Sequence, residues 1–190
     1  MMNKNNITGI ILSGGKSSRM GTDKGLLLFE NKPFIQHSID ALKPLVSEII
    51  IVSNNKDYNV FGFKRVEDAI ENAGPLAGIY SGLNESKTDY NLVLSCDIPL
   101  ISSEILEKLI NAIDDVSEII QIESEGKNMP LIALYKKSCA AKFLKLLNEG
   151  ERKLQVAVNK CNVKNVKLNE HDAFFTKNIN TKNDLKAIIK

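Results

Sequence analysis

Short, largely apolar segments alternate with apolar residues at helical spacing along the first half of this chain. Ile7–Leu12 is a run of the kind that fills a strand buried on both faces. Phe34, Ile35, Ile39 and Leu42 then recur at helical spacing, and Pro44 marks the end of that helix. Ile49–Val52, inside Glu48–Ser53, is a second buried strand. Leu76, Ile79, Tyr80 and Leu83 form one face of the next helix, and Asn91–Ser95 is strand-like again. Ile105, Leu106, Leu109 and Ile113 predict a third helix with Ser102 or Ser103 as its cap.

The pattern then becomes less regular. Glu118–Glu123 and Leu131–Tyr135 are short strands on either side of Gly126, an antiparallel pair. Ala140, Phe143, Leu144 and Leu147 predict another helix, closed by Gly150. A last helix begins at Thr181, with Asp184 three residues on as in a capping box. Alternating strands and helices predict an α/β fold, a mainly parallel sheet between helices with a small antiparallel addition. No repeat, low-complexity tract or linker interrupts the chain, so residues 1–190 read as one domain whose second half is the less regular lobe.

Composition excludes more than it selects. Lys plus Arg is 25 against 23 for Asp plus Glu, a net charge of +2 that argues for neither nucleic acid nor an anionic membrane as partner. Cys96, Cys139 and Cys161 are odd in number and widely spaced, as in a reduced, cytoplasmic protein. The start of the chain lacks a signal-peptide run, and no apolar stretch approaches the ~18 residues that would span a bilayer.

The chemistry concentrates behind the first strand. Gly14 to Lys24 contains two adjacent glycines and three cations, Lys16, Arg19 and Lys24. A strand that empties into small residues and fixed positive charge is suited to cradle phosphate. It is not a P-loop: Gly15-Lys16-Ser17 supplies the end of that motif, but its first glycine would fall at Ile10. The dinucleotide pattern G-x-G-x-x-G is also absent.

The stretch Leu12-Ser13-Gly14-Gly15-Lys16-Ser17-Ser18-Arg19-Met20-Gly21-Thr22-Asp23-Lys24-Gly25-Leu26-Leu27 resembles the signature of molybdenum cofactor guanylyltransferases of the MobA type. These belong to the nucleotidyltransferases of Rossmann-like, three-layer αβα fold. The likeness continues through Val66-Glu67-Asp68, Gly74-Pro75-Leu76-Ala77-Gly78, Cys96-Asp97-Ile98-Pro99-Leu100, Gly150-Glu151-Arg152 and Asn178-Ile179-Asn180-Thr181.

The resemblance implies transfer of GMP from GTP to molybdenum-molybdopterin, with release of pyrophosphate. Residues 1–100 would form the nucleotide-binding half and 101–190 the pterin-acceptor half. Leu12, Ser13, Gly14 and Gly15 would bring backbone to the nucleotide, and Arg19 and Lys24 would balance its triphosphate. Asp97, at the end of a strand, would be both catalytic and the ligand of Mg²⁺, which prefers one or two carboxylates plus phosphate oxygens. Ser53, Asn55, Asp68 and Gly78 join the nucleotide side, with Asp68 matched to the N1–H and amine of guanine. Lys16, Arg152, Asn178 and Asn180 fall to the acceptor. Cofactor-delivery proteins and molybdoenzyme chaperones are the further partners it implies.

Plainer roles compete at each position. Lys16 fits a solvated surface lysine, Asp97 a helix cap, Asp68 a loop carboxylate, and Asn178 and Asn180 the turn before Thr181. His37 and His171 read as solvated and Cys96 as core. Two departures from the family pattern fall in the acceptor half: Met129 before Pro130, where a polar residue is usual, and Lys153 after Arg152 in place of a second arginine. A cytidylyltransferase of the same pterin, a transferase for another phosphorylated acceptor, and a non-catalytic nucleotide-binding module are the rival readings. Gly14-Gly15 with Asp68 favours guanine, and Arg19, Lys24 and Asp97 together favour an enzyme.

Overall fold

The computed structural model describes residues 6–14, 23–70, 73–181 and 184. In chain order the strands and helices are β1 (Ile7–Leu12), β2 (Leu28–Phe29), β3 (Lys32–Pro33), α1 (Phe34–Leu42), β4 (Glu48–Val52), β5 (Lys64–Val66), α2 (Gly74–Glu85) and β6 (Tyr90–Ser95). There follow α3 (Ser103–Asn111), β7 (Ile119–Ser124), β8 (Lys127–Lys136), α4 (Cys139–Asn148), α5 (Leu154–Val158), β9 (Val163–Lys167) and α6 (Glu170–Ala173). Short 3-10 turns lie at Lys24–Leu26, Lys56–Phe61 and Phe174–Thr176.

Seven strands form one sheet in the order β5-β4-β1-β6-β8-β7-β9. Among the described residues only β8 runs against the others; its neighbours β6 and β7 both pair with it antiparallel. β1 is central and pairs along its length, Gly9 with Ile49 on one side and with Leu92 on the other. Its side chains therefore divide between two cores. Ile7 and Ile11 pack with Ile35 and Ile39 of α1 and Leu106 of α3. Ile10 packs on the opposite face with Ile79 of α2 and Phe143 of α4. The result is the expected three-layer αβα fold with a mainly parallel sheet.

Some expectations need correction at the level of elements. α1 ends at Leu42, two residues before Pro44, as read from the sequence. Gly150 has φ of +88° and its N–H bonds the carbonyl of Leu147, closing α4 in the left-handed manner open to glycine. Ser102 occupies the cap position of α3 but makes no capping bond, and Ser103 Oγ instead donates to the Ala41 carbonyl at 2.8 Å. β8 is longer than the apolar run predicted and passes through Pro130. It does so because the β7–β8 register shifts between Gln121 and Ile122, the irregularity that lets a strand tolerate proline.

β2 and β3 form a hairpin through Glu30 and Asn31, whose φ values of 48° and 62° are those of a tight two-residue turn. Phe29 of that hairpin packs with Phe34 and Ile179 in a third small core. Ile179 is thus an anchor, 1% exposed, for the segment that carries Asn178 and Asn180.

Candidate functional site

β1, β4, β5 and β6 all end on the same edge of the sheet, and the chain order reverses around β1. In open α/β sheets that is where a crevice opens. A cavity of about 620 Å³ lies there. The ends of β1 (Leu12, Ser13, Gly14) form its floor, Asn54 and Asp68 one wall, and Gly74 and Gly78 of α2 another. A Cβ at Gly78 would stand 3.3 Å from both Asp68 Oδ1 and Leu12 Cδ2, so glycine there keeps the wall open. Asp68 is held by its backbone N–H, which donates to Asn54 Oδ1 at 2.9 Å. Burial pushes its carboxyl above the ordinary carboxylate range.

A second cavity, about 530 Å³, adjoins the first and shares Pro75 and Leu131 with it. Its walls come from the β7–β8 hairpin (Asn128, Met129, Pro130), from Leu154 of α5 and from Asn178. The end of β6 passes between the two: Ser95 lines the first cavity and Ile98 the second. Asp97 sits in the chain between them. Its Oδ1 is buried without a hydrogen-bond partner among the described residues, and its backbone carbonyl accepts from Ile179 N–H at 2.8 Å. Asp97 does not cap α3; Ser102 holds that position.

Asp23 organises the start of the Lys24–Leu26 turn. Its carboxylate accepts from Gly25 N–H at 3.1 Å, from Asn55 Nδ2 at 3.1 Å and from the Tyr58 hydroxyl. Tyr58 is fully buried, and that burial, with Cys96 and Asp23 nearby, drives its hydroxyl far above the ordinary range. Burial likewise pushes the Cys96 thiol up to about 12, so it packs as core. Gly25 lies directly against Tyr58 and Cys96 with no room for a Cβ. Lys24 is thereby fixed at its backbone, and its Nζ donates to Asn180 Oδ1 at 2.6 Å.

The description of the MobA-like NTP transferase domain matches residues 9–163 of this chain. The chain belongs to that family. A probable molybdenum cofactor guanylyltransferase of Flavobacterium johnsoniae is 38% identical over 179 residues, covering 94% of each chain. One of Clostridium perfringens is 39% identical over 192 residues, covering 95% of this chain and 94% of the relative. Among solved structures, a protein from Aquifex aeolicus superposes with a TM-score of 0.81 at 26% identity, over 94% of this chain and 95% of the other. The molybdopterin-guanine dinucleotide biosynthesis protein A of Archaeoglobus fulgidus superposes at 0.78 with 22% identity, covering 95% of each, and shares the fold. The reaction class of a MobA-like NTP transferase is nucleotidyl transfer.

Within this MobA-like chain the residues singled out from sequence fall into groups. Leu12, Ser13, Gly14, Asp68 and Gly78 line the first cavity, and Asn178 lines the second. Lys24 and Asn180 meet each other. Gly15, Lys16 and Arg19 lie outside the described residues. Ser53 and Asn55 turn away from the first cavity's wall: Ser53 Oγ accepts from Asn55 N–H at 3.2 Å, and Asn55 caps the Lys56–Phe61 turn while holding Asp23. Between them Asn54 takes the wall position. Arg152 Nη1 donates to the carbonyls of Leu147 and Glu151 at the end of α4. His37 is half-buried rather than solvated, with Nε2 3.0 Å from the Phe29 carbonyl. Sequence reasoning missed Asn54, whose signal was its place directly after a buried strand.

Proposed function

We propose that this chain is a molybdenum cofactor guanylyltransferase: it binds GTP in the first cavity and a phosphorylated pterin in the second, and transfers GMP between them. The observation that carries the reading is the pair of adjoining cavities, with Asp97 and its buried, unpartnered Oδ1 on the segment that runs from Ser95 in the first to Ile98 in the second. An oxygen of the acceptor phosphate forms a bond to the α-phosphorus, the bond from that phosphorus to the β-bridging oxygen breaks, and pyrophosphate leaves. The acceptor is already an anion, so no general base is needed. What the chain supplies is placement of two anions and balance of their charge.

Gly14 offers backbone to the nucleotide, and Lys24 faces its phosphates, joined by Arg19 and the backbone of Gly15. Asp68 accepts from the guanine edge, opposite Gly78. Ser53 and Asn55 serve the nucleotide indirectly, by shaping the loop that presents Asn54 and Asp68. On the acceptor side Asn178 lines the second cavity, and the cations Arg152 and Lys16 serve the acceptor's phosphate in this reading. The donor side then draws mainly on residues 1–100 and the acceptor side mainly on 101–190, with exceptions on each side.

The donor set at Asp97 fits Mg²⁺: one carboxylate with a buried, unpartnered oxygen. When bound there, Mg²⁺ would neutralise charge on the phosphate oxygens. Asp97 would hold it, and the Ile179 bond to the Asp97 carbonyl fixes where the carboxylate starts. Residence in the cytoplasm agrees with the free cysteines Cys96, Cys139 and Cys161, and no described helix is long and apolar enough to cross a membrane.

Calorimetry of GTP, CTP, ATP and UTP with and without Mg²⁺ tests the reading. The expected result is Mg²⁺-dependent preference for GTP. Preference for CTP would move the chain to cytidylyl transfer, and absence of nucleotide binding would overturn the donor site.

A further inference from the structure

We infer that Asn180 is a positioning residue for Lys24: it acts on the nucleotide side of the reaction, through the lysine, rather than on the acceptor. The inference rests on the donor site proposed above. Asn180 Oδ1 accepts from Lys24 Nζ at 2.6 Å across 156 residues of sequence. An amide used this way has its oxygen aimed at the lysine and spends one of its two lone pairs there.

The contact is built from both sides. Upstream, the Asp23 carboxylate binds Gly25 N–H, Asn55 and Tyr58, so the backbone on either side of Lys24 is held against a buried tyrosine. Downstream, Asp184 Oδ2 accepts from the backbone N–H of Asn180 at 2.9 Å and of Thr181 at 2.8 Å, while Thr181 Oγ1 accepts from Asp184 N–H. Ile179, buried beside Phe29 and Phe34, ties the same segment to the core. The backbone bond to Asn180 and, more weakly, the charge of Lys24 hold the Asp184 carboxyl below its ordinary range, as proximity of the lysine requires.

A free lysine side chain has many rotamers, and ordering it on a phosphate costs conformational entropy. Here both ends of the side chain are already set. An ammonium has three donors, so one spent on Asn180 leaves two for phosphate oxygens. The reciprocal hydrogen bonds of Thr181 and Asp184 are then part of the nucleotide machinery.

GTP calorimetry in the absence of any acceptor separates this role from acceptor binding. Asn180→Ala is expected to weaken GTP by about threefold to tenfold, with an unfolding midpoint close to the parent's. Asn180→Ser, too short to reach the ammonium, behaves alike. In a Lys24→Ala background the same change at Asn180 is expected to cost nothing more, the signature of two residues acting as one. Acylation of Lys24 by an amine-reactive ester, followed by peptide mass, is expected to run faster in Asn180→Ala. Unchanged GTP affinity in Asn180→Ala beside weakened affinity in Lys24→Ala would overturn the inference alone. Failure of the parent chain to bind any nucleoside triphosphate would overturn the donor site and this inference with it.

Discussion

The two cavities are built by different means. The first is framed by the ends of parallel strands and by the start of α2, elements whose positions the central sheet dictates. Its polar groups are backbone and short side chains. The second takes its walls from a hairpin with a shifted register, a five-residue helix and the loop around Asn178. One is specified by the fold, the other by what is attached to the fold. With the donor in the first cavity and the acceptor in the second, as proposed above, rigid donor chemistry and adjustable acceptor choice would follow from that division.

The comparison breaks most severely at the junction. Asp97→Ala should lower turnover by about a hundredfold or more, because an electrostatic contribution at the reacting phosphates is lost, while GTP binding is partly kept. Single-turnover rates beside calorimetry check this. Turnover near the parent's would remove Asp97 from the chemistry.

Next in size is Gly25→Ala. A Cβ there collides with the Tyr58 hydroxyl and crowds Cys96. Overpacking of this kind costs about 1–3 kcal/mol. Because it disturbs Asp23, GTP affinity should fall along with the unfolding midpoint. A variant with parent-like stability and parent-like affinity would show that the Asp23–Tyr58 contact does not hold the loop.

Gly78→Ala is a smaller and one-sided perturbation. Its methyl meets Asp68 and Leu12, so GTP binding should weaken by several-fold, on the order of 1 kcal/mol, with the second cavity unaffected. The reciprocal change is Met129→Gln, which should alter the KM for the acceptor and leave GTP affinity within about twofold. If Met129→Gln shifted GTP affinity strongly, the two cavities could not be treated as separate modules.

The smallest effect concerns pH. The fold raises the Asp68 pKa by desolvation, so the folded protein holds that proton more tightly than the unfolded chain does. The stability this contributes is fully present below the ordinary carboxylate pKa and is lost as pH rises through the raised value. Asp68→Asn should therefore melt slightly higher than the parent at neutral pH, an advantage that fades in acid. The same variant should lose preference for GTP. Melting curves across pH and nucleotide competition test both halves, and a lower melting point at neutral pH would contradict the desolvation argument.

Legibility in the sequence followed burial. β1, β4 and β6 are covered on both faces, so Ile10, Ile50 and Val93 sit in unbroken apolar runs that announce a strand. β5 and β9 are edge strands; Lys64–Val66 and the alternately exposed Val163–Lys167 carry lysines that masked them. Pro130 hid the first part of β8, and α5 is too short for a period to emerge. Of the candidate site, positions tied to glycines and strand ends could be placed from sequence, since Leu12 to Gly14 and Gly78 follow from strand–loop–helix order. Partnerships between distant side chains could not. Nothing in the sequence of Lys24 indicates that its ammonium meets Asn180, and nothing in Asp23 points to Tyr58. Those contacts exist only once the chain has closed on itself.

β8, the one strand of the seven-stranded sheet that runs against the rest among the described residues, has a consequence for how such a protein can change over generations. Because β7 and β8 enter and leave the same edge of the sheet through one turn at Glu125–Gly126, that hairpin can be lengthened, shortened or rewritten without rethreading any other strand. Its tip is a replaceable cartridge beside a fixed engine. With the acceptor in the second cavity, as proposed above, a change of recipient can be written at this tip while the parallel strands that frame the first cavity keep their places.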